Sequence, residues 1–201
     1  MATTMQQVRA WRGPAFLSYG FRPFFFSAGV LAALLIALWT PWYLGFLAVP
    51  SALSPVNWHI HELLFGYVPA VIAGFLLTAV PNWTGRLPVV GWPLAGLFAL
   101  WLLARGIILV SPGLSPPMLA AGTLLFPLAL LGVMAREIIA GRNWRNLKIL
   151  VALVLIILAQ IGFHYEAAHY GRSDLATRLG IAATVVLIMI VGGRVVPSFT
   201  R

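Results

Sequence analysis

The chain of 201 residues is 61% hydrophobic and only 8% charged, with a mean hydropathy of +0.96. Soluble domains carry about 25% charged residues, so water cannot be the solvent for this exterior and hydrocarbon takes its place. The net charge of +9 does not describe a nucleic-acid surface, because the basic residues sit at the ends of apolar segments, and the absence of cysteine excludes disulfides, thiolate ligands and a covalently attached c-type haem.

Arg9, Arg12 and Arg22 precede the first apolar stretch, and no small-residue cleavage site follows it. The start therefore reads as an uncleaved first helix rather than a signal peptide. A span needs about 20 apolar residues, and six segments qualify: 23–40, 61–80, 92–110, 117–138, 147–168 and 176–196. Pro23 suits a first helical turn. Thr40-Pro41-Trp42 closes the first span and Pro81-Asn82-Trp83-Thr84-Gly85 the second. Ser111-Pro112-Gly113 separates the third from the fourth, and Gly141-Arg142-Asn143 and Gly171-Arg172-Ser173-Asp174 follow the fourth and fifth. No loop is long enough for a separate domain. The expected fold is all-α: a polytopic bundle forming a single transmembrane helical domain over 1–201, in contact with the lipid bilayer.

With the N-terminus in the cytoplasm, the inner side holds Arg9, Arg12, Arg22, Arg86, Arg136, Arg142, Arg145, Lys148, Arg194 and Arg201. The outer side holds Arg172 and Arg178, and Arg105 lies within the third span. That bias predicts that both termini are cytoplasmic. The cluster Arg136, Arg142, Arg145 and Lys148 reads as an anchor on anionic headgroups. The second and sixth spans leave through similar motifs, Val80-Pro81-Asn82-Trp83-Thr84-Gly85-Arg86 and Val196-Pro197-Ser198-Phe199-Thr200-Arg201. They are either the trace of an internal repeat or a coincidence of helix ends.

All four histidines fall on the outer side: His59 and His61 open the second span, and His164 and His169 close the fifth. Glu62 adjoins His61, and Glu166 lies between His164 and His169. Neutral imidazole ligates copper, iron and zinc, and a ligating histidine usually gives its other N–H to a carboxylate or carbonyl. Glu62 and Glu166 are candidates for that supporting role. His59, His61 and His164 read as ligands, with Gln160 one turn deeper than His164; His169 reads as an interfacial residue. On a helix, i and i+2 point roughly 200° apart. Either the chain is not helical at His59, or the two histidines serve different sites.

Arg105 is an intramembrane charge, which needs a partner or a cavity. Glu62 or a haem propionate can supply one. Gly66, Ala70 and Gly74 form a small-residue packing stripe that also carries Glu62, and Pro69 is expected to free a backbone carbonyl and kink the helix.

Three segments together resemble the NnrS family. One runs from Trp58-His59-Ile60-His61-Glu62-Leu63-Leu64-Phe65-Gly66 on to Thr78-Ala79-Val80-Pro81-Asn82-Trp83-Thr84-Gly85-Arg86. The others are Gly20-Phe21-Arg22-Pro23-Phe24-Phe25 and Gly192-Gly193-Arg194-Val195-Val196-Pro197-Ser198-Phe199-Thr200-Arg201. The resemblance implies a bacterial inner-membrane protein that contains haem b and copper, with a role in nitric oxide metabolism or nitrosative-stress resistance. It implies His59 and His61 as the foremost ligands, and His164 as a further one. Family members are about twice as long, so the chain looks like an N-terminal half, with a second half or another protomer completing the bundle.

Two other readings stand beside this one. A small-molecule or ion transporter is suggested by the paired exit motifs, Pro69 and Arg105, although the ionisable groups lie towards the outer side rather than the midplane. A truncated, non-catalytic membrane scaffold is suggested by the short length.

Overall fold

A computed structural model describes residues 11–86 and 88–199, with side chains as far as Gly193. Arg9, Thr200 and Arg201 lie outside the described residues, as do the side chains of 194–199, so the second exit motif has no structural counterpart to compare with the first. Among the described residues no strand occurs, and six helices are long and apolar enough to cross a membrane. They are α1 (Phe21–Tyr43), α2 (Pro55–Thr84), α3 (Trp92–Leu109), α4 (Pro116–Ala140), α5 (Leu147–Tyr170) and α6 (Leu175–Phe199). The protein is an all-α, multi-pass membrane bundle.

The helices alternate in direction, and contacts between loops fix which ends meet. At one end, Ala52 N–H donates to Ser111 Oγ at 2.8 Å, and Asn57 Nδ2 donates to Gly171 O at 2.9 Å. The histidines lie at this end. At the other, Gly91 N–H donates to Leu17 O at 2.8 Å and Arg86 Nε to Glu137 Oε2 at 2.6 Å. Asn143 Nδ2 reaches Trp83 O there as well. The Arg86–Glu137 pair clips the exit of α2 to the end of α4.

α2 and α5 are the most enclosed helices, while α1 and α6 turn most of their surface outward. Lipid tails are as apolar as leucine, so outward-facing apolar residues cost nothing, and close packing holds the helices together. Phe24 of α1 meets Phe126 of α4 at 5.6 Å, and Phe65 of α2 meets Phe163 of α5 at 5.5 Å.

α2 begins six residues earlier than the apolar run at 61–80 suggests. Asn57, His59 and His61 interrupt that run, but Ser54 caps the helix by accepting Asn57 N–H at 3.3 Å, and Pro55 occupies the first turn. The far end closes at Gly85, whose φ of +69° and N–H to Pro81 O form a left-handed cap. α1 likewise runs on to Tyr43 past Pro41, whose carbonyl accepts Phe46 N–H at 2.8 Å.

Between these ends the helix widens into a π segment, Glu62–Tyr67, where Val68 N–H reaches back five residues to Leu63 O. Pro69 brings no N–H to the next position, so the regular ladder cannot close there. The expected kink is therefore a widened turn. Within that segment Gly66 O accepts Trp101 Nε1–H of α3 at 3.0 Å. The widening also splits the small-residue stripe. A Cβ on Gly66 would overlap the Arg105 guanidinium of α3, whereas one on Gly74 would meet Phe24 and Phe25 of α1. Ala70, between them, is fully buried.

Candidate functional site

His61 is completely buried on the first turns of α2. Its Nδ1 lies 3.0 Å from Glu62 Oε1, and the same oxygen accepts a hydrogen bond from Arg105 Nη1 at 2.9 Å. Glu62 is 3% exposed, so the carboxylate is removed from water and satisfied by two donors from two helices. With Nδ1–H given to the carboxylate, the His61 Nε2 lone pair is left open, and Nε2 is buried without a hydrogen-bond partner among the described residues. A carboxylate behind an imidazole is the arrangement that orients a metal-ligating histidine.

His164 approaches from α5. Its ring lies 5.0 Å from that of His61, centroid to centroid, inclined at 57°. Its Nε2 is 2.9 Å from Thr123 Oγ1, and that hydroxyl is also 3.0 Å from Leu119 O one turn back on α4. A hydroxyl has one proton. If it goes to the backbone carbonyl, His164 Nε2–H is the donor to Thr123, and Nδ1 is the nitrogen left to act as a ligand. Gln160 Nε2 donates to Thr123 O at 3.3 Å, while its Oε1 is buried without a partner. Phe65 and Phe163 pack against His61 and close the apolar side of the pair.

Of the residues singled out from the sequence, the structure thus brings together His61, Glu62, Arg105 and His164. His59 is helical and points elsewhere, as a two-residue step on a helix demands. It stacks on Trp39 of α1 at 4.1 Å, and its Nδ1 is also buried without a partner. The alternative in which the chain is not yet helical at His59 is therefore removed. Glu166 accepts from Ser173 Oγ at 2.9 Å, Asp174 N–H at 2.9 Å and Ala176 N–H at 3.2 Å. It caps the start of α6. His169 is exposed and stacks on Tyr165 at 4.1 Å.

Thr123 was missed by sequence reasoning, although a hydroxyl in the middle of an apolar span was visible as a polar exception. Trp101 had no such signal, because its indole N–H pairs with a backbone carbonyl, Gly66 O, that no side-chain pattern marks. Glu137 belongs to the other end and to the clip with Arg86.

The donor chemistry fits a metal in part. His61 Nε2 is a buried, oriented, unpaired imidazole nitrogen, with a second imidazole beside it. Among the described residues, however, no group of three or more histidine, cysteine, aspartate or glutamate side chains converges as a closed ligand set. A metal here would take two imidazoles from α2 and α5 and its remaining ligands from elsewhere. The unpaired nitrogen of His59 belongs to a separate location against α1.

A family model described as "NnrS protein" matches residues 15–201. No curated protein and no solved structure matches the chain.

Proposed function

Since the chain belongs to the NnrS family, a membership that points to a role linked to nitric oxide, we propose that it binds haem b and copper in the bacterial inner membrane. In this reading it takes part in nitric oxide metabolism or nitrosative-stress resistance. The observation that carries the proposal is the buried relay Arg105–Glu62–His61, which ends in an imidazole nitrogen with no partner. Leaving such a group unpaired in a low-dielectric interior costs about 1–3 kcal/mol, and a ligated metal removes that cost.

His61 and His164 would hold one metal, and His59, which faces α1, would serve the other. Two histidine locations agree with two cofactors. When bound, haem iron or copper supplies a centre at which a diatomic ligand can coordinate. The chain's own residues supply the setting. Glu62 fixes the orientation of His61, and Arg105 balances the carboxylate charge within the membrane. Phe65 and Phe163 keep water from the imidazole pair, and Thr123 holds His164. The Lys and Arg bias supports an orientation with the histidine end on the extracytoplasmic side and both termini in the cytoplasm. A second half or another protomer would complete the ligand set.

The test is haem and metal analysis of detergent-purified protein, with His61→Ala, His164→Ala and His59→Ala variants alongside. The expected result is a Soret band and bound copper in the parent. One metal should be lost from both His61→Ala and His164→Ala, and a different one from His59→Ala. Folded protein with neither haem nor copper would overturn the reading in favour of a scaffold.

A further inference from the structure

At the bundle end opposite the histidines, positive charge outruns its counter-charge. Glu137 is the acid of this end among the described residues, and Arg86 engages it at 2.6 Å. Arg136, 76% exposed, approaches the same carboxylate only to 3.7 Å. Arg142, Arg145 and Lys148 are exposed, and among the described residues none of them has a carboxylate within ion-pair distance. These four cations occupy the last turns of α4, the first turn of α5 and the short connection between them.

The connection is held in one shape. Arg142 N–H and Asn143 N–H donate to Ile139 O and Ile138 O, both at 3.0 Å, and Asn146 N–H donates to Asn143 O at 2.9 Å. Asn143 Nδ2 ties the turn to α2 through Trp83 O. A Cβ on Gly141 would come within 2.7 Å of Thr84 Cβ, so glycine is required there for close approach. The left-handed position falls one residue later, on Arg142, with φ +51°. Glycine is the usual residue in that conformation, and here a cation holds the place.

Both helices run from this cluster into the bilayer. Arg136 lies four residues before the end of α4 at Ala140, about 6 Å along the axis, and its long stem lets the guanidinium rise to headgroup level. Below the cations, Leu128 of α4 and Val151 of α5 are 49% and 59% exposed and turn apolar surface to lipid. A free phosphate or an acidic protein would meet the cations and not this surface. A phospholipid meets both. One phosphate leaves most of a four-cation group unbalanced, whereas two phosphates on one molecule can each take charge-assisted hydrogen bonds from a pair of them.

We propose that the α4–α5 turn is a discrete binding site for a phospholipid with two phosphates, of the cardiolipin class. Arg142, Arg145 and Lys148 hold the phosphates from the turn, Arg136 reaches them from below, and the acyl chains lie along α4 and α5. The general attraction of basic loops to a negative leaflet follows the amount of charge; a site follows where the charge stands. Neither haem nor copper enters.

The test is native mass spectrometry of the full chain released from detergent micelles and titrated with tetraoleoyl-cardiolipin. Dioleoyl-phosphatidylglycerol and dioleoyl-phosphatidylcholine are titrated alongside. One cardiolipin should be retained per chain, at least about tenfold more tightly than phosphatidylglycerol. Arg142→Gln, Arg145→Gln and Lys148→Gln combined should weaken it at least about tenfold. Arg12→Gln, Arg172→Gln and Arg178→Gln combined remove the same formal charge from exposed positions outside this turn, and should bind as the parent does. Arg142→Gly keeps the left-handed turn and removes one cation, so it should weaken binding with no loss of melting temperature. Equal losses in the two triple variants would overturn the proposal in favour of attraction by net charge. So would equal affinity for cardiolipin and phosphatidylglycerol, or no retained lipid.

Discussion

His61 and His164 meet near the start of one helix and the end of another, with ring centroids 5.0 Å apart, and they are held by different means. The first leans on a carboxylate, Glu62, and the second on a hydroxyl, Thr123. A carboxylate raises the basicity of its imidazole far more than a hydroxyl does, so the two nitrogens are unequal donors.

That inequality sets the first prediction. Glu62→Gln should lower metal affinity by about 10–100-fold, and Thr123→Val by less. Competition with a chelator of known affinity measures both. Equal losses would mean that the carboxylate does not orient His61 in the bound state.

Arg105→Met leaves the Glu62 carboxylate buried with only His61 as its partner. Removing one member of a buried ion pair costs about 3–5 kcal/mol, which should appear as a lower melting temperature in detergent. Adding Glu62→Gln should recover part of that loss, because the uncompensated charge is then gone. A double-mutant cycle on thermal unfolding reads the coupling; strict additivity would show that the two residues act independently.

Gly66→Ala should destabilise the bundle by about 1–3 kcal/mol, since its methyl group would occupy the space of the Arg105 guanidinium. Gly29→Ala on α1 is the control. A Cβ there meets nothing within 4 Å, and the helix loses a flexible residue, so that variant should be neutral or slightly more stable.

Glu166→Ala separates the support of a ligating histidine, expected from the sequence, from the capping role the structure shows. As the cap of α6 it contributes hydrogen bonds to Asp174 N–H and Ala176 N–H, and its loss should cost about 0.5–2 kcal/mol. Haem and copper content should stay at the parent level. Loss of metal without loss of stability would return Glu166 to the support of a ligating histidine.

The absence of cysteine makes topology directly testable. Arg172→Cys at the histidine end should react with a membrane-impermeant maleimide added to intact cells, and Arg145→Cys at the other end only after permeabilisation. The opposite pattern would invert the orientation drawn from the basic residues.

The spans were legible in the sequence because apolar length and turn residues carry them. The start of α2 was obscured, since three polar residues interrupt the apolar run although Ser54 and Pro55 mark the cap. The pairing of Glu62 with Arg105 was legible as a possibility, because an intramembrane charge demands a partner and few acids are available. The facing of His61 and His164 was not, since it depends on how α2 and α5 are rotated about their axes. Nor was the widened turn: Pro69 announced a fault in the ladder without saying how it would be absorbed.

That widened turn, Glu62–Tyr67, has a consequence for the angular phase of α2. A residue added to a regular helix rotates everything beyond it by about 100°, whereas a widened turn takes up one residue more over nearly the same angle and keeps the phase. Upstream, His61 is directed at α5; downstream, Gly74 is directed at α1. Deleting a single residue within 62–67 would restore an unbroken α ladder and leave the lower half of the helix facing its neighbour, whereas the same deletion further down α2 would turn everything beyond it by about 100°. Length changes of one residue should therefore be tolerated within the widened turn and not below it.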